Sequence, residues 1–197
     1  MGSLPDNIVN GTSFKANHNS NLVYILGIKD EENVLLSYDL DTLISSVVRT
    51  FPFSRASSVR VRNRAFIYGK RDAVGEETLL ELNLDTFTMT PVGDSGYPKT
   101  GGYSRCVSDG NRFVYLIGDY ETNNSIFRTN GITQFDTVTL KSRFFQISNF
   151  PVKETEFYFA APDCVYVKKL NRIYCFGGRV LGKYSDDIFY IDLMSST

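Results

Sequence analysis

Asn171-Arg172-Ile173-Tyr174-Cys175-Phe176-Gly177-Gly178 is the stretch on which the fold turns, because the chain repeats its pattern four times. The counterparts are Asn21-Leu22-Val23-Tyr24-Ile25-Leu26-Gly27, Asn63-Arg64-Ala65-Phe66-Ile67-Tyr68-Gly69 and Asn111-Arg112-Phe113-Val114-Tyr115-Leu116-Ile117-Gly118. Each runs from an Asn in a polar turn, through an apolar and aromatic stretch, to a Gly. The glycines at 27, 69, 118 and 177 lie 42, 49 and 59 residues apart, a mean of 50. A second anchor keeps step with the first: Tyr38-Asp39-Leu40-Asp41-Thr42, Leu82-Asn83-Leu84-Asp85-Thr86, Phe135-Asp136-Thr137-Val138-Thr139 and Ile191-Asp192-Leu193-Met194-Ser195. Self-similarity at such a period is the signature of a repeat architecture.

Inside each unit the local signals are those of strands. Ser57-Ser58-Val59-Arg60-Val61 and Pro162-Asp163-Cys164-Val165-Tyr166-Val167 are short β-prone runs, followed by polar turns at Arg62-Asn63 and Lys169-Leu170-Asn171 and then the anchored run. Asp109-Gly110-Asn111 is the plainest turn, since Gly and Asn tolerate positive φ. After the Gly comes a polar loop, then a third run such as Thr78–Asn83 or Ile188–Ile191, and a turn at Asp85-Thr86 leads to a fourth, Phe87–Pro91. The recurrent Asp39, Asn83, Asp136 and Asp192 are expected to cap the turn between the third and fourth strands by accepting from nearby backbone N–H groups. Helix is expected to be almost absent.

Composition narrows the chemistry. The chain has 197 residues, 21 Lys+Arg against 22 Asp+Glu, a net charge of −1, and 42% hydrophobic residues, which suits one soluble domain. Acids and bases are interspersed, so no footprint for nucleic acid or an anionic membrane is present, and no apolar run has the length of a membrane span. Neither a signal peptide nor a disulfide framework is legible: Cys106, Cys164 and Cys175 each sit in an apolar run, which points to reduced thiols and a cytoplasmic setting. His18 is the single histidine and lies in a polar turn, so multi-histidine metal sites and Ser-His-Asp catalysis have no residues to use. No cofactor is expected.

Tandem four-stranded units of about 50 residues are the pattern of propeller blades, and the motif resembles the kelch repeat. Gly177-Gly178 matches that family's glycine doublet and Tyr38-Asp39 its Tyr-Asp pair, with Phe135-Asp136 and Ile191-Asp192 as variants. Phe51-Pro52-Phe53-Ser54-Arg55 echoes its lead-in to a first strand. Gly27, Gly69 and Gly118 lack the second glycine, and the family's Trp is absent throughout. The resemblance implies an all-β chain, a β-propeller of four-stranded antiparallel blades, with four kelch-like units at about 12–50, 51–92, 98–148 and 157–197 of one domain. Such propellers usually hold five to seven blades. Four units therefore suggest a closed small ring, with Asn7-Ile8-Val9 supplying an outer strand, or part of a larger propeller. The fourth unit reads as ending after its third strand, and an open arc would leave faces rich in Phe and Tyr in water.

The resemblance implies a binding module. Loops after the second strand of every blade would share one rim, which makes Lys29, Lys70, Arg71, Arg128, Arg179 and Lys183 candidates to grip carboxylates or phosphates of a partner, with Tyr120, Phe127 and Tyr184 as apolar anchors. Tyr97, Lys99 and Tyr103 are secondary candidates in a long connection. The expected role is a non-enzymatic adaptor or scaffold for a protein or peptide. One alternative is a carboxylate-dependent, sugar-acting enzyme, although the adjacent pairs Asp186-Asp187 and Glu76-Glu77 lack the separation such chemistry needs. A copper oxidase resembling galactose oxidase would want histidines the chain lacks. Another alternative is a structural arc that completes a ring by self-association.

Overall fold

The computed structural model describes residues 8–17, 19–51, 53–71, 77–92, 105–117, 131–146, 159–160, 163–180, 183–184 and 186–193. Eighteen strands and a single 3-10 turn at Lys168–Leu170 make up its regular structure, and no α-helix occurs among the described residues. The chain is all-β. It divides into two compact units, 1–91 and 92–197.

The first unit holds two four-stranded antiparallel sheets. One is β1 (Val9–Lys15), β2 (Leu22–Lys29), β3 (Glu32–Asp39) and β4 (Ser45–Thr50) in that order. The other is β5 (Phe53–Val61), β6 (Arg64–Arg71), β7 (Glu77–Leu82) and β8 (Met89–Pro91). Every neighbour pair is consecutive in sequence, which is the up-and-down meander of a propeller blade. Val9 pairs with Ile28, which places it in the first blade, and Asn7 of the stretch considered as an outer strand lies outside the described residues. The edge strands β1 and β5 lie side by side, joined where Thr12 Oγ1 accepts from the Ser58 backbone N–H at 3.2 Å and lies 3.1 Å from Ser58 Oγ.

Alternation along these strands decides which face is covered. Tyr24, Leu26 and Leu35 of the first blade meet Ala65, Ile67, Leu80 and Leu82 of the second, with Phe14 and Phe51 closing the ends of this core. Phe14 and Tyr24 rings lie 5.6 Å apart and Tyr24 meets Phe87 edge-on. The small Ala65 shares this core with the large Tyr24 and Leu26, a mix of sizes that suits close packing of two sheets.

The second unit repeats the arrangement. Its blades are β9 (Arg105–Ser108), β10 (Phe113–Ile117), β11 (Gly131–Asp136) and β12 (Lys141–Gln146), then β14 (Asp163–Val167), β15 (Arg172–Phe176) and β18 (Ile188–Asp192). The fourth blade therefore has three strands among the described residues. Val107, Tyr115, Ile117 and Ile132 pack on Ile173, Cys175 and Ile191 to form this core. A small separate sheet, β13 (Phe159–Ala160), β16 (Arg179–Val180) and β17 (Lys183–Tyr184), grows from the loop after β15.

Two local details differ from the expectation drawn from the glycines. Gly27 and Gly69 lie inside β2 and β6, each two residues before the strand ends, and do not terminate them. Gly177 and Gly178, with φ of 60° and 100°, follow the end of β15 and take the left-handed backbone that other residues resist, while Gly118 lies outside the described residues.

Candidate functional site

The end of each blade that carries the Asn and Asp anchors is stitched by the residues that recur there. Asp39 Oδ1 accepts from the N–H groups of Asp41 and Thr42 at 2.8 and 3.1 Å, Asn83 Oδ1 from Asp85 and Thr86 at 2.9 and 3.0 Å, and Asp136 Oδ1 from Val138 and Thr139 at 2.9 and 3.4 Å. These are the expected caps. The bonds from Thr42 and Asp41 hold the Asp39 carboxyl below its ordinary pKa. The arginine after each anchor Asn adds a second tie: Arg64 to Glu81, Arg112 to Asp136 with Nε–Oδ1 of 2.9 Å, and Arg172 to Asp192 with Nε–Oδ2 of 3.1 Å. In the first blade Asn21 donates to Asp41 at 2.7 Å instead. Each pairing raises the arginine pKa, and the Arg112 guanidinium, first among its causes, holds the Asp136 carboxyl well below the usual carboxylate range. Arg64, Arg112 and Arg172 also lie over Phe66, Phe113 and Tyr190, at 5.0, 5.2 and 4.4 Å from the ring centres. These charges pair with one another across neighbouring strands and serve the architecture of the blade.

The candidate rim residues fall at the opposite ends of the strands. Lys29 ends β2 opposite Glu32, and the expected loop around it is a two-residue hairpin turn, since Asp30 and Glu31 both adopt positive φ, 51° and 67°. Lys70 and Arg71 are the last residues of β6, paired with Glu77 and Phe53. Arg179, Lys183 and Tyr184 are brought together on the β16–β17 hairpin, where Arg179 pairs with Tyr184 and Val180 with Lys183. Tyr184 is 91% exposed. Tyr120, Phe127 and Arg128, together with Tyr97, Lys99, Tyr103 and His18, lie outside the described residues. No group of three or more His, Cys, Asp or Glu side chains with metal-holding geometry occurs among the described residues.

Next to that hairpin lies a surface that the sequence reading did not assign. Positions one and three before the Gly anchor, with the facing residue of the third strand, are buried in the first three blades: Leu26, Tyr24 and Leu35; Tyr68, Phe66 and Leu79; Ile117, Tyr115 and Ile132. The same positions of the fourth blade are Phe176, Tyr174 and Ile188, with Phe176 opposite Ile188 and Tyr174 opposite Tyr190. Phe176 is 40%, Ile188 66% and Tyr190 51% exposed, and Val165 on β14 is exposed beside Tyr174. Side chains that are buried at these positions elsewhere are here half-buried at Tyr174 and exposed at Phe176 and Ile188. The signal was present in Ile188-Phe189-Tyr190-Ile191, which is apolar on both faces of its strand.

Comparison with known proteins bears on this geometry. The chain is similar over 96% of its length to the solved structure of YjhT, at 14% identity and a TM-score of 0.66. The fold is propeller-like. A second solved structure, a structural genomics protein of unknown function from Bacteroides thetaiotaomicron, matches 84% of the chain at 12% identity and a TM-score of 0.58. The chain spans 64% and 38% of the lengths of those two proteins. No family model and no curated protein matches the sequence.

Proposed function

We propose that the chain is a non-enzymatic binding module built from kelch-like blades, which recruits a protein or peptide partner to the rim of its fourth blade. The observation that carries this reading is Tyr184, almost wholly exposed yet held on a hydrogen-bonded hairpin, four residues before the exposed Ile188. An aromatic side chain in water on an ordered strand loses little conformational freedom on binding, and anchors of that kind dominate protein interfaces. Arg179 and Lys183 on the same hairpin suit a partner carrying carboxylates next to its apolar residues. The adaptor role and the kelch relationship rest on the sequence resemblance, and a cytoplasmic setting suits three cysteines that form no disulfide.

The test is a photo-crosslinking residue placed at Tyr184, followed by purification of the captured partner and direct titration. Tyr184→Ala and Ile188→Asp should each weaken the reconstituted complex by about tenfold or more. Val47→Asp, at another exposed apolar position, on β4, should leave it unchanged. Equal loss at all three positions would overturn the reading.

A second reading is favoured by the exposed face itself. Phe176, Ile188 and Tyr190 repeat a blade-packing set, so the partner they suit best is another sheet of the same kind, and a second copy of this chain supplies one. In that case the crosslinked product is a homodimer.

A further inference from the structure

Cys164 and Cys175 stand directly opposite each other on the antiparallel strands β14 and β15, and their Sγ atoms are 3.2 Å apart. Both are free thiols on the face that packs into the core of the second unit, where Cys175 is fully buried and Cys164 partly so. A disulfide needs a sulfur separation of about 2.0 Å and Cα atoms about 4.4–6.8 Å apart, a range that includes both kinds of facing position in an antiparallel pair, at about 4.5 and 5.5 Å. The sulfurs must close by about 1 Å. The hairpin between the cysteines is already fixed by the Lys168–Leu170 turn, by Asn171 in the left-handed region, and by a 2.9 Å bond between Tyr166 Oη and Asn171 Oδ1. Little chain entropy is left to lose when the bond forms.

We infer that Cys164 and Cys175 are a latent redox pair, which hydrogen peroxide converts to a cross-strand disulfide that ties β14 to β15. The partly accessible Cys164 reacts first: its thiol takes one oxygen from the peroxide to become a sulfenic acid, and water leaves. The Cys175 sulfur then displaces the hydroxyl from Cys164; its proton departs with that hydroxyl as a second water, and the S–S bond forms. Two thiols are oxidised and one peroxide is reduced. The neighbouring Cys175 sulfur and burial together push the Cys164 thiol up from its ordinary value, so the first step is slow beside that of an exposed cysteine. The second step is fast because the resolving sulfur is already in contact. The bond would rigidify the two strands whose other face presents Val165 and Tyr174, so oxidation acts on the blade that carries the exposed surface.

Treatment of the purified chain with hydrogen peroxide, quenching, and peptide mapping without reductant tests the proposal. The expected product is a peptide pair joined through Cys164 and Cys175, lighter by two hydrogens and reversed by dithiothreitol, with slowed hydrogen exchange in β14 and β15. Cys106→Ser should leave this product unchanged. In Cys175→Ala the sulfenic acid on Cys164 should persist long enough for dimedone to trap it, and the wild-type map decides the matter if that variant does not fold. A bond through Cys106, stepwise oxygen addition at Cys164 without a crosslink, or a crosslink that forms only in denaturant would each overturn the inference.

Discussion

Asp136 accepts from the Arg112 guanidinium and from the backbone N–H groups of Val138 and Thr139, so one carboxylate closes the turn between β11 and β12 and ties it to the turn before β10. Its pKa is held below that of an unfolded aspartate. A depressed carboxylate contributes stability that is complete above the unfolded value, about 3.9, and is lost as pH falls through the folded one. Asp136→Asn keeps an acceptor oxygen for the turn but gives up the charge that Arg112 sees. It should cost about 1–2 kcal/mol at pH 7, toward the lower end because the Arg112 side chain is 44% exposed and screened. Urea unfolding of both proteins at pH 7 and near pH 3 checks this. The gap between the two stabilities should narrow as the pH falls from 7 toward 3 and would close only below the folded pKa, and a gap that stays constant would mean that the charge is not what the turn uses.

At the scale of elements, the third-to-fourth-strand turn shows what could be read in advance and what could not. Asp39, Asn83 and Asp136 were legible as caps because their side chains can bond the backbone two and three residues ahead. The residue four positions after each was not. Leu43, Phe87 and Leu140 take positive φ of 59°, 54° and 58°, and nothing about a Leu or Phe announces a left-handed backbone. The hydrogen bonds of the turn impose it: the N–H of Leu43 donates to the Asp39 carbonyl and that of Leu140 to the Asp136 carbonyl, each at 2.8 Å. The Arg–carboxylate ties were equally hidden, since Arg64 and Glu81 are 17 residues apart and meet only once the sheet has formed. Glycine's second use, close approach, appears at Gly131 on β11. A Cβ there would meet the Phe145 carbonyl oxygen and the Phe144 ring, the latter at 2.5 Å. Gly131→Ala should therefore destabilise the chain by about 1–3 kcal/mol through strain between β11 and β12. Hydrogen exchange should localise the loss to those two strands, and an unchanged denaturation midpoint would show that the strands part without cost.

Across the whole molecule the question is what a repeat array does with its last face. A blade face rich in Phe and Tyr is costly to leave in water, and on the fourth blade Phe176 and Tyr190 are exposed. Which face would be exposed was not legible in the sequence, because an apolar strand residue reads as core whichever side of its sheet it lies on. Covering a side chain of the size of Ile188 is worth about 1.5–3 kcal/mol, and several such residues lie together, so the isolated chain has a reason to associate through this blade. Light-scattering mass across a dilution series should show concentration-dependent self-association. Ile188→Asp should remove it and leave the circular dichroism unchanged, because a carboxylate buried at that interface has no partner to offset its desolvation. A wild-type chain that remains monomeric at every concentration would mean that the face is tolerated in water, and the partner of the fourth blade would then have to be sought at the Tyr184 hairpin alone.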